Sequence, residues 1–298
     1  MRTLTFNVPP DCDGVTVGRF LRSRCRVSAR LVTKQKQVPM GITANGEHIR
    51  TVDLLRAGDV VALNIPDDAK PAEASDIRVD IVYEDEDLAV LDKPANMAVH
   101  PSHNHQGDTL ANAFAAHTAA NGPAATFRPI NRLDRDTTGL VVVCKHSHAA
   151  SLLHGHLEKV YYAVCEGELS GSGTIDAPIR RIEGAGIRRE VGEGGQHAVT
   201  RWRALRQNDG MTLLEIHLET GRTHQIRTHF SCVMKMPLAG DDMYGGSRER
   251  IGRQALHCGR LDIIHPVTGE SMTLVSPLPE DMRALMAMTA EEAGDSIL

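Results

Sequence analysis

The feature that most constrains this fold is a series of short strand-like segments that do not alternate one-for-one with helices. "GLVVVCK" (139–145) is a β-branched run bounded by glycine, and "KVYYAVCEG" (159–167) and "TLLEIHLET" (212–220) also read as strands. Regular alternation of strands and helices is typical of a parallel α/β sheet. Its absence predicts an α+β fold on a mixed, mostly antiparallel central sheet.

The first 65 residues differ in charge from the rest of the chain. Residues 1–65 hold ten Lys/Arg against five Asp/Glu, whereas the whole chain of 298 residues has a net charge of −5. The remainder therefore carries −10. "SARLVTKQK" (28–36) reads as a helix with Arg30 and Lys34 on one face. This asymmetry predicts a small basic α/β module that binds a polyanion.

A boundary follows the basic module. Residues 66–78 are rich in Pro, Ala and acids and have no apolar period, which is typical of a linker. We therefore predict a module at 1–65, a linker at 66–78 and a larger domain at 79–298. The residues give no reason to expect more than a monomer.

Several classes of protein are disfavoured by composition. No apolar run approaches the roughly 18 residues of a membrane span, and the first residues do not resemble a secretory signal, so we expect a cytoplasmic protein. The six cysteines are scattered singly, and the fifteen histidines show no zinc-binding spacing, so we expect neither disulfides nor a metal. Walker and dinucleotide-binding motifs are missing, so we expect no nucleotide cofactor.

The loop "NRLDRDTTG" (131–139) packs two arginines and two aspartates into five residues just before a predicted buried strand. Arg132 and Arg135 would favour the ionised form of Asp134, because a nearby opposite charge stabilises a carboxylate. An ionised, partly buried aspartate can act as a nucleophile or stabilise positive charge. The alternative is a structural ion-pair cluster that caps the strand, and this loop alone favours that alternative.

Two further stretches favour a functional site. In a strand, the adjacent Tyr161 and Tyr162 point to opposite faces, so the two rings cannot serve the same pocket. The stretch "ETGRTHQIRTH" (219–229) reads as a turn and a helix on which His224 and Arg227 lie one turn apart. A solvated helix rarely concentrates so many donors without acids between them: Arg222, His224, Gln225, Arg227 and His229.

Several ordered stretches together resemble the catalytic domain of the RluA family of RNA pseudouridine synthases. They are "KPANMAVHP", "NRLDRDTTGLVVVCK", "KVYYAVCEG", "GQHAVTRWRAL", "ETGRTHQIRTHF", "PLAGDDMYG", "RQALHCGRLDIIHPVTGE" and "SPLPEDM". The resemblance runs from about Ile81 to Met282. Residues 1–65 resemble, less closely, an S4-like RNA-binding module.

The resemblance implies an isomerase that needs no cofactor. Such an enzyme breaks the bond between ribose C1′ and uracil N1, turns the base and joins C5 to C1′. It implies that Asp134 starts the reaction, that Arg132 enters the RNA stack in place of the flipped uridine, and that Tyr161 stacks on the uracil and helps to remove the C5 proton. Arg227 would pair with the aspartate, and Leu256 would pack under the base. We also expect RNA contacts from the remaining donors, Arg222, His224, Gln225, Arg30 and Lys34.

Two positions depart from the family pattern. Asn131 replaces the usual histidine before "RLD", and Thr138 replaces the usual serine. Both keep hydrogen-bonding capacity, so we expect activity to survive. Asn131 nevertheless puts in doubt any RNA contact that the histidine would make.

The substrate class follows from composition and from the resemblance. Aromatic residues make up only 3% of the chain, too few for a broad base-stacking platform, so we expect structured RNA. Large-subunit (23S) ribosomal RNA is the favoured substrate, and tRNA is the alternative. Two other hypotheses are a catalytically silent RNA-binding or ribosome-assembly protein and a carboxylate-dependent hydrolase of a nucleoside-like ligand.

Overall fold

A small unit with its own core forms the beginning of the chain. The computed structural model describes residues 2–65, 72–102, 105–122 and 125–297. Residues 2–65, called here the N-terminal module, form an antiparallel sheet in the order β1-β4-β2-β3 with two helices. The elements are β1 (Arg2–Asn7), α1 (Val17–Ser23), α2 (Ala29–Gln35), β2 (Ile42–Ala44), β3 (Glu47–His48) and β4 (Val60–Ile65).

The helices of the N-terminal module pack on its sheet through an apolar core. Phe20 and Leu21 of α1 are buried against Leu63 of β4 and its neighbours. Ser28 caps α2 by accepting a hydrogen bond from the backbone N–H of Leu31, as N-cap serines do. The predicted helix at 28–36 is therefore confirmed, whereas the S4-like assignment stays a prediction. Of the predicted linker, residues 66–71 lie outside the described residues.

The rest of the chain, called here the main body, is built on a ten-stranded sheet. Its strand order is β10-β13-β14-β9-β15-β8-β6-β5, with β16 paired to β15 and β7 paired to β8. Among the strands that the structure describes, β15 and β8 form the only parallel pair. The sheet confirms the predicted α+β class. Its strands are β5 (Asp80–Glu84), β6 (Leu88–Lys93), β7 (Arg128–Pro129), β8 (Thr138–Cys144), β9 (Leu157–Glu166), β10 (Ser172–Asp176), β13 (Val199–Asn208), β14 (Met211–Leu218), β15 (Leu256–Ile264) and β16 (Ser271–Val275).

Short helices and one hairpin complete the main body. The helices are α3 (Leu110–Asn121), α4 (Ser147–Leu153), α5 (Gln225–His229), α6 (Glu280–Leu285) and α7 (Ala290–Ile297), and the hairpin strands are β11 (Ile179–Arg181) and β12 (Arg189–Val191). Helix α5 continues into a π-helical turn at Phe230–Met234. Within the described residues, every helix is too short or too polar to cross a bilayer.

The central sheet has an apolar core on each face. Along β9, Tyr161 and Ala163 belong to one core, whereas Val160, Tyr162 and Val164 belong to the other. This arrangement confirms that the two tyrosines point to opposite faces.

Gly139 allows the one parallel strand pair to form. Its φ of +108° lies in the region that favours glycine, and a Cβ there would lie 2.3 Å from the carbonyl oxygen of Cys258. Because β8 and β15 pair at this point, the loop that carries Asp134 lies next to the start of β15, which carries Leu256.

The N-terminal module is joined to the main body by an ion-pair network. Arg2 donates to both carboxylate oxygens of Asp87, at 2.8 and 3.3 Å, and also pairs with Glu86. His146 Nε2 lies 2.9 Å from Asp87 Oδ1, and His265 Nε2 lies 2.8 Å from Asp85 Oδ2. Burial opposes ionisation of Asp87, but His146 and Arg2 more than offset it and lower the pKa of that carboxyl to about 2.

The same network contains a set of three ligand-type atoms. Asp85, Asp87 and His265 bring one oxygen or nitrogen each to within 4.8 Å of one another. These side chains already have protein partners, including Arg2, His146 and the hydroxyl of Tyr83. A cation would have to displace the Arg2 guanidinium, so we interpret the cluster as a connection between the two units.

Candidate active site

One pocket brings together eight of the ten residues that the sequence predicts for the site. They are Arg132, Asp134, Tyr161, Arg222, His224, Gln225, Arg227 and Leu256. The loop before β8, strand β9, the turn before α5 and the start of β15 supply them. Because these segments are far apart in sequence, only the folded sheet can gather them.

Asp134 lies at the mouth of this pocket. Its loop is held by a hydrogen bond from the backbone N–H of Thr137 to the carbonyl oxygen of Asp134, at 3.1 Å. Its Oδ2 accepts a hydrogen bond of 3.0 Å from Nη1 of Arg227, and Nε2 of His224 lies 3.7 Å away. The side chain keeps 27% of its surface exposed, so one face of the carboxylate remains open to a ligand.

Arg227 is held from its other side by Asp241. Its Nε and Nη2 donate to the two oxygens of Asp241 at 2.7 and 2.8 Å, and the Asp241 side chain is fully buried. The guanidinium also lies 5.0 Å from the ring centre of Tyr244. Burial disfavours the charge on Arg227, but Asp241, and to a lesser extent Asp134, more than offset it and raise the pKa of the guanidinium. Arg227 is thus a fixed cation that orients Asp134.

Asp241 is a site residue that the sequence did not single out. It is the first of two adjacent aspartates in "PLAGDDMYG", and the second, Asp242, is exposed. The two adjacent aspartates could have indicated a site residue, but the local sequence does not distinguish the buried aspartate from the exposed one.

Asp134 is paired with Arg227, as the family resemblance implies, and not with Arg132 or Arg135 of its own loop. Arg135 pairs instead with Asp136, with nitrogen–oxygen distances of 3.1 and 3.2 Å. Arg132 lines the pocket with an exposed side chain and, within the described residues, makes no hydrogen bond to Asp134. Arg132 is therefore placed to meet a ligand.

Tyr161 forms part of the pocket wall and is 6% exposed. It lies directly across from Cys258 in the β9–β15 pairing. Burial, then Cys258 and Asp134, raise the pKa of the Tyr161 phenol well above its ordinary value. The unliganded protein therefore carries a neutral phenol here. Leu256, 5% exposed, supplies an apolar surface in the same pocket.

The turn before α5 differs from the expected helix. His224 is not in the helix, which begins at Gln225, because His224 adopts a left-handed conformation with φ of 56°. Its Nδ1 lies 2.9 Å from the hydroxyl of Tyr244, and this contact orients the ring toward Asp134.

Gln225 has a different task from the predicted RNA contact. Its amide oxygen accepts from the Thr220 hydroxyl and the Arg222 backbone N–H, and its nitrogen donates to Val199 and Thr200. These four bonds use the whole capacity of the amide. Gln225 therefore holds the turn, whereas Arg222 remains exposed at the rim of the pocket.

The two departures from the family pattern are both structural in this fold. Asn131 is buried, donates to the carbonyl of Leu140 and accepts from the N–H of Val142, so its amide fastens the loop to β8. Thr138 Oγ1 lies 2.9 Å from Nδ1 of His257, beside Leu256. Neither side chain lines the pocket.

Lys93 supports the Asp134 loop from beneath. This buried side chain donates to the carbonyl oxygens of Pro94, Met97 and Arg135, each at 2.8 Å. Burial lowers the pKa of its amine to about 7, although Asp136 and Asp134 act in the opposite sense. Sequence reasoning missed Lys93, because a lysine before proline in "DKP" reads as a surface residue.

Arg30 and Lys34 lie apart from this pocket. Both are on the exposed face of α2 in the N-terminal module. Any RNA contact that they make is therefore remote from Asp134.

Comparison with known proteins places this geometry in a family. Residues 87–232 match the family model described as RNA pseudouridylate synthase. The chain is 40% identical over 268 residues to the uncharacterized RNA pseudouridine synthase YjbO of Bacillus subtilis, covering 87% of this chain and 94% of that protein. It is 38% identical over 276 residues to ribosomal large subunit pseudouridine synthase D of Pseudomonas aeruginosa, covering 84% of each.

A solved structure has the same fold. Human RNA pseudouridylate synthase domain containing 1 superposes with a TM-score of 0.59 at 22% identity, covering 74% of this chain and 94% of that one. With the sequence relatives, this result assigns the chain to the RNA pseudouridine synthase family.

Proposed function

We propose that this enzyme converts uridine to pseudouridine in large-subunit ribosomal RNA, with Asp134 as the residue that starts the reaction. The observation that carries the assignment of Asp134 is its position: a half-open carboxylate, fixed by Arg227, faces a pocket whose walls include Tyr161 and Leu256. The ribosomal substrate is supported by the relative named ribosomal large subunit pseudouridine synthase D.

The pocket suits a flipped uridine. Extrusion of a base from a stack costs a few kcal/mol, and an inserted cationic side chain that also meets phosphate can offset part of that cost. Arg132, exposed at the mouth, is the side chain in position for this task. Tyr161 and Leu256 supply surfaces for the uracil ring, and Arg222 lies where it can meet the flanking backbone.

The isomerisation leaves the composition of the substrate unchanged: the N1–C1′ bond breaks, the C5–C1′ bond forms, C5 loses its proton and N1 takes one up. A carboxylate at this place can attack C1′, add to the uracil ring or remove a sugar proton, and each route begins at Asp134.

Release of tritium from uridine labelled at C5 tests the proposal. Transcripts of large-subunit ribosomal RNA and of tRNA are incubated separately with the parent enzyme and with Asp134→Asn. We expect release from the ribosomal transcript with the parent alone. Release from tRNA only would overturn the substrate, and equal release by Asp134→Asn would overturn the role of Asp134. No release from any cellular RNA would favour a silent RNA-binding protein.

A matched control excludes a general effect of removing one negative charge. Asp209 is 71% exposed and pairs with Arg250 away from the pocket, so Asp209→Asn should release tritium at the parental rate. Carbodiimide treatment followed by sequencing of the modified RNA then identifies the uridine.

A further inference from the structure

A second cavity lies between the N-terminal module and the main body. Its volume is about 620 Å³, and residues of both units line it. One wall comes from β1 and the segment after α1, and the other comes from α4 and the end of β15. This cavity requires both units, and the reaction described above gives it no role.

The rim of this inter-module cleft is basic. Arg24 and Arg26 line it with exposed side chains, and neither guanidinium has an ion-pair partner within the described part of the chain. Of the described residues that line the cleft, none is acidic. The nearby Asp85 and Asp87 are engaged by His265, His146 and Arg2. The cleft therefore presents uncompensated positive charge.

The inner surface of the cleft is apolar. Phe6 and Leu152 are half-buried there, and Ile264 keeps 62% of its surface exposed. His148 is 3% exposed, and its Nδ1 has no hydrogen-bond partner among the described residues. Burial, with the neighbouring His146, lowers the pKa of His148 to about 4, so its ring is neutral near pH 7. The positive charge of the cleft thus comes from its arginines.

The charge and the shape of the cleft together indicate which kind of ligand it binds. A paired RNA helix turns its bases inward and offers mainly phosphates and sugars, for which a flat basic surface is sufficient. A concave site with an apolar wall and a basic rim matches an unpaired nucleotide, whose base can lie on the wall while its phosphate meets the arginines.

Strand β15 connects the cleft to the active site. Leu256 at its start lines the active-site pocket, and Ile264 at its end lines the cleft. Eight residue steps of about 3.3 Å place the two sites about 26 Å apart. One structured RNA can therefore reach both.

We propose that the inter-module cleft, formed by Arg24, Arg26 and the apolar wall at Phe6, Leu152 and Ile264, binds an unpaired nucleotide of the substrate RNA at a distance from the target uridine. This inference rests on the RNA substrate class of the proposed function. It makes the orientation of the N-terminal module part of substrate selection, because the cleft exists only when the two units are docked.

Fluorescence anisotropy with a short labelled oligouridylate tests the cleft directly. The double variant Arg24→Gln/Arg26→Gln is compared with Arg50→Gln/Arg56→Gln, which removes two exposed arginines of the same module outside the cleft. We expect about tenfold weaker binding at 0.15 M salt for the cleft variant, and a plot of log K against log salt shallower by about 0.7, the contribution of one single-strand phosphate contact. The control should bind like the parent.

A second pair of variants guards against unfolding. Ile264→Asp places a negative charge at an exposed position in the cleft, and Val52→Asp does so at a 67% exposed position of the module outside the cleft. With unchanged thermal midpoints, only Ile264→Asp should weaken binding.

Three results would overturn the proposal: parental binding by both cleft variants, equal losses in the controls, or competition by polyglutamate as strong as that by unlabelled oligouridylate, which would indicate an acidic peptide. Because the measurement needs no turnover, it can be read even if the parent releases no tritium. Failure of the cleft to bind RNA can therefore be distinguished from failure of the proposed catalytic function.

Discussion

Arg227 binds two aspartates, Asp134 and Asp241. Replacing each of them by asparagine should affect the stability of the protein differently. Asp241 is fully buried and makes two hydrogen bonds to the guanidinium, whereas Asp134 makes one and is 27% exposed. We expect Asp241→Asn to unfold the protein readily and Asp134→Asn to leave it stable. Only the second should be inactive while well folded.

The loss of unfolding free energy in each variant follows from how deeply the ion pair is buried. Removing one partner of a buried ion pair costs about 3–5 kcal/mol, because the remaining charge stays desolvated. Arg227 is only 5% exposed, so Asp241→Asn falls in this range. Asp134→Asn leaves both bonds to Asp241 in place and removes a partly solvated pair, which costs about 0–1 kcal/mol. In a domain of this size, 1 kcal/mol shifts Tm by about 2–4 °C, so we expect a loss of about 6–20 °C for Asp241→Asn.

Scanning calorimetry on the two variants, the parent and Asp209→Asn measures these shifts, and tritium release at 20 °C measures activity. Asp209→Asn should match the parent in both. A Tm of Asp241→Asn within about 2 °C of the parent would refute the reasoning, because the buried carboxylate would then contribute no net stability. A large decrease in the Tm of Asp134→Asn would also contradict the reasoning.

Two further predictions concern Tyr161 and Lys93. Because the phenol of Tyr161 is neutral, Tyr161→Phe should bind RNA like the parent and keep the same pH–rate profile between pH 7 and 9. Loss of the hydroxyl that helps to remove the C5 proton should slow turnover by about 10²- to 10⁴-fold. A rising limb that the parent shows and Tyr161→Phe lacks would mean that a phenolate acts as a base. The Lys93 pKa of about 7 lies below the ordinary value of about 10.4 for an unfolded lysine, so the unfolded chain binds more protons between these values and stability should rise with pH by up to about 1.4 kcal/mol per unit. Urea unfolding from pH 7 to 9.5 measures this slope, and an equal slope in Lys93→Met would exclude Lys93 as its source.

The local sequence pattern was sufficient to predict a mostly antiparallel sheet. It was also sufficient to predict that Tyr161 and Tyr162 point to opposite faces. Strand alternation depends only on neighbouring residues, so Tyr161 and Tyr162 could be assigned to opposite faces before the fold was known. The pairing of Asp134 with Arg227 joins residues 93 positions apart, and it was expected only through the family resemblance.

The errors share one physical cause. Gln225 and Asp241 are polar residues whose hydrogen-bond partners are set by tertiary packing. A sequence shows hydrogen-bonding capacity but not whether the protein itself uses it, so the pattern suggests an RNA contact for Gln225 and does not single out Asp241. His224 was placed in a helix because the pattern does not show its positive φ.

The single parallel pairing between β8 and β15 sets an order of events during synthesis. Thr138 and His257 are 119 residues apart, and the ribosome needs about 6–24 s to add that many residues. The Asp134 loop therefore emerges long before the strand that fixes it and carries Leu256. The N-terminal module, whose core lies wholly within residues 2–65, can fold much earlier. A nascent chain can therefore fold its basic module well before Leu256 is available to complete the pocket.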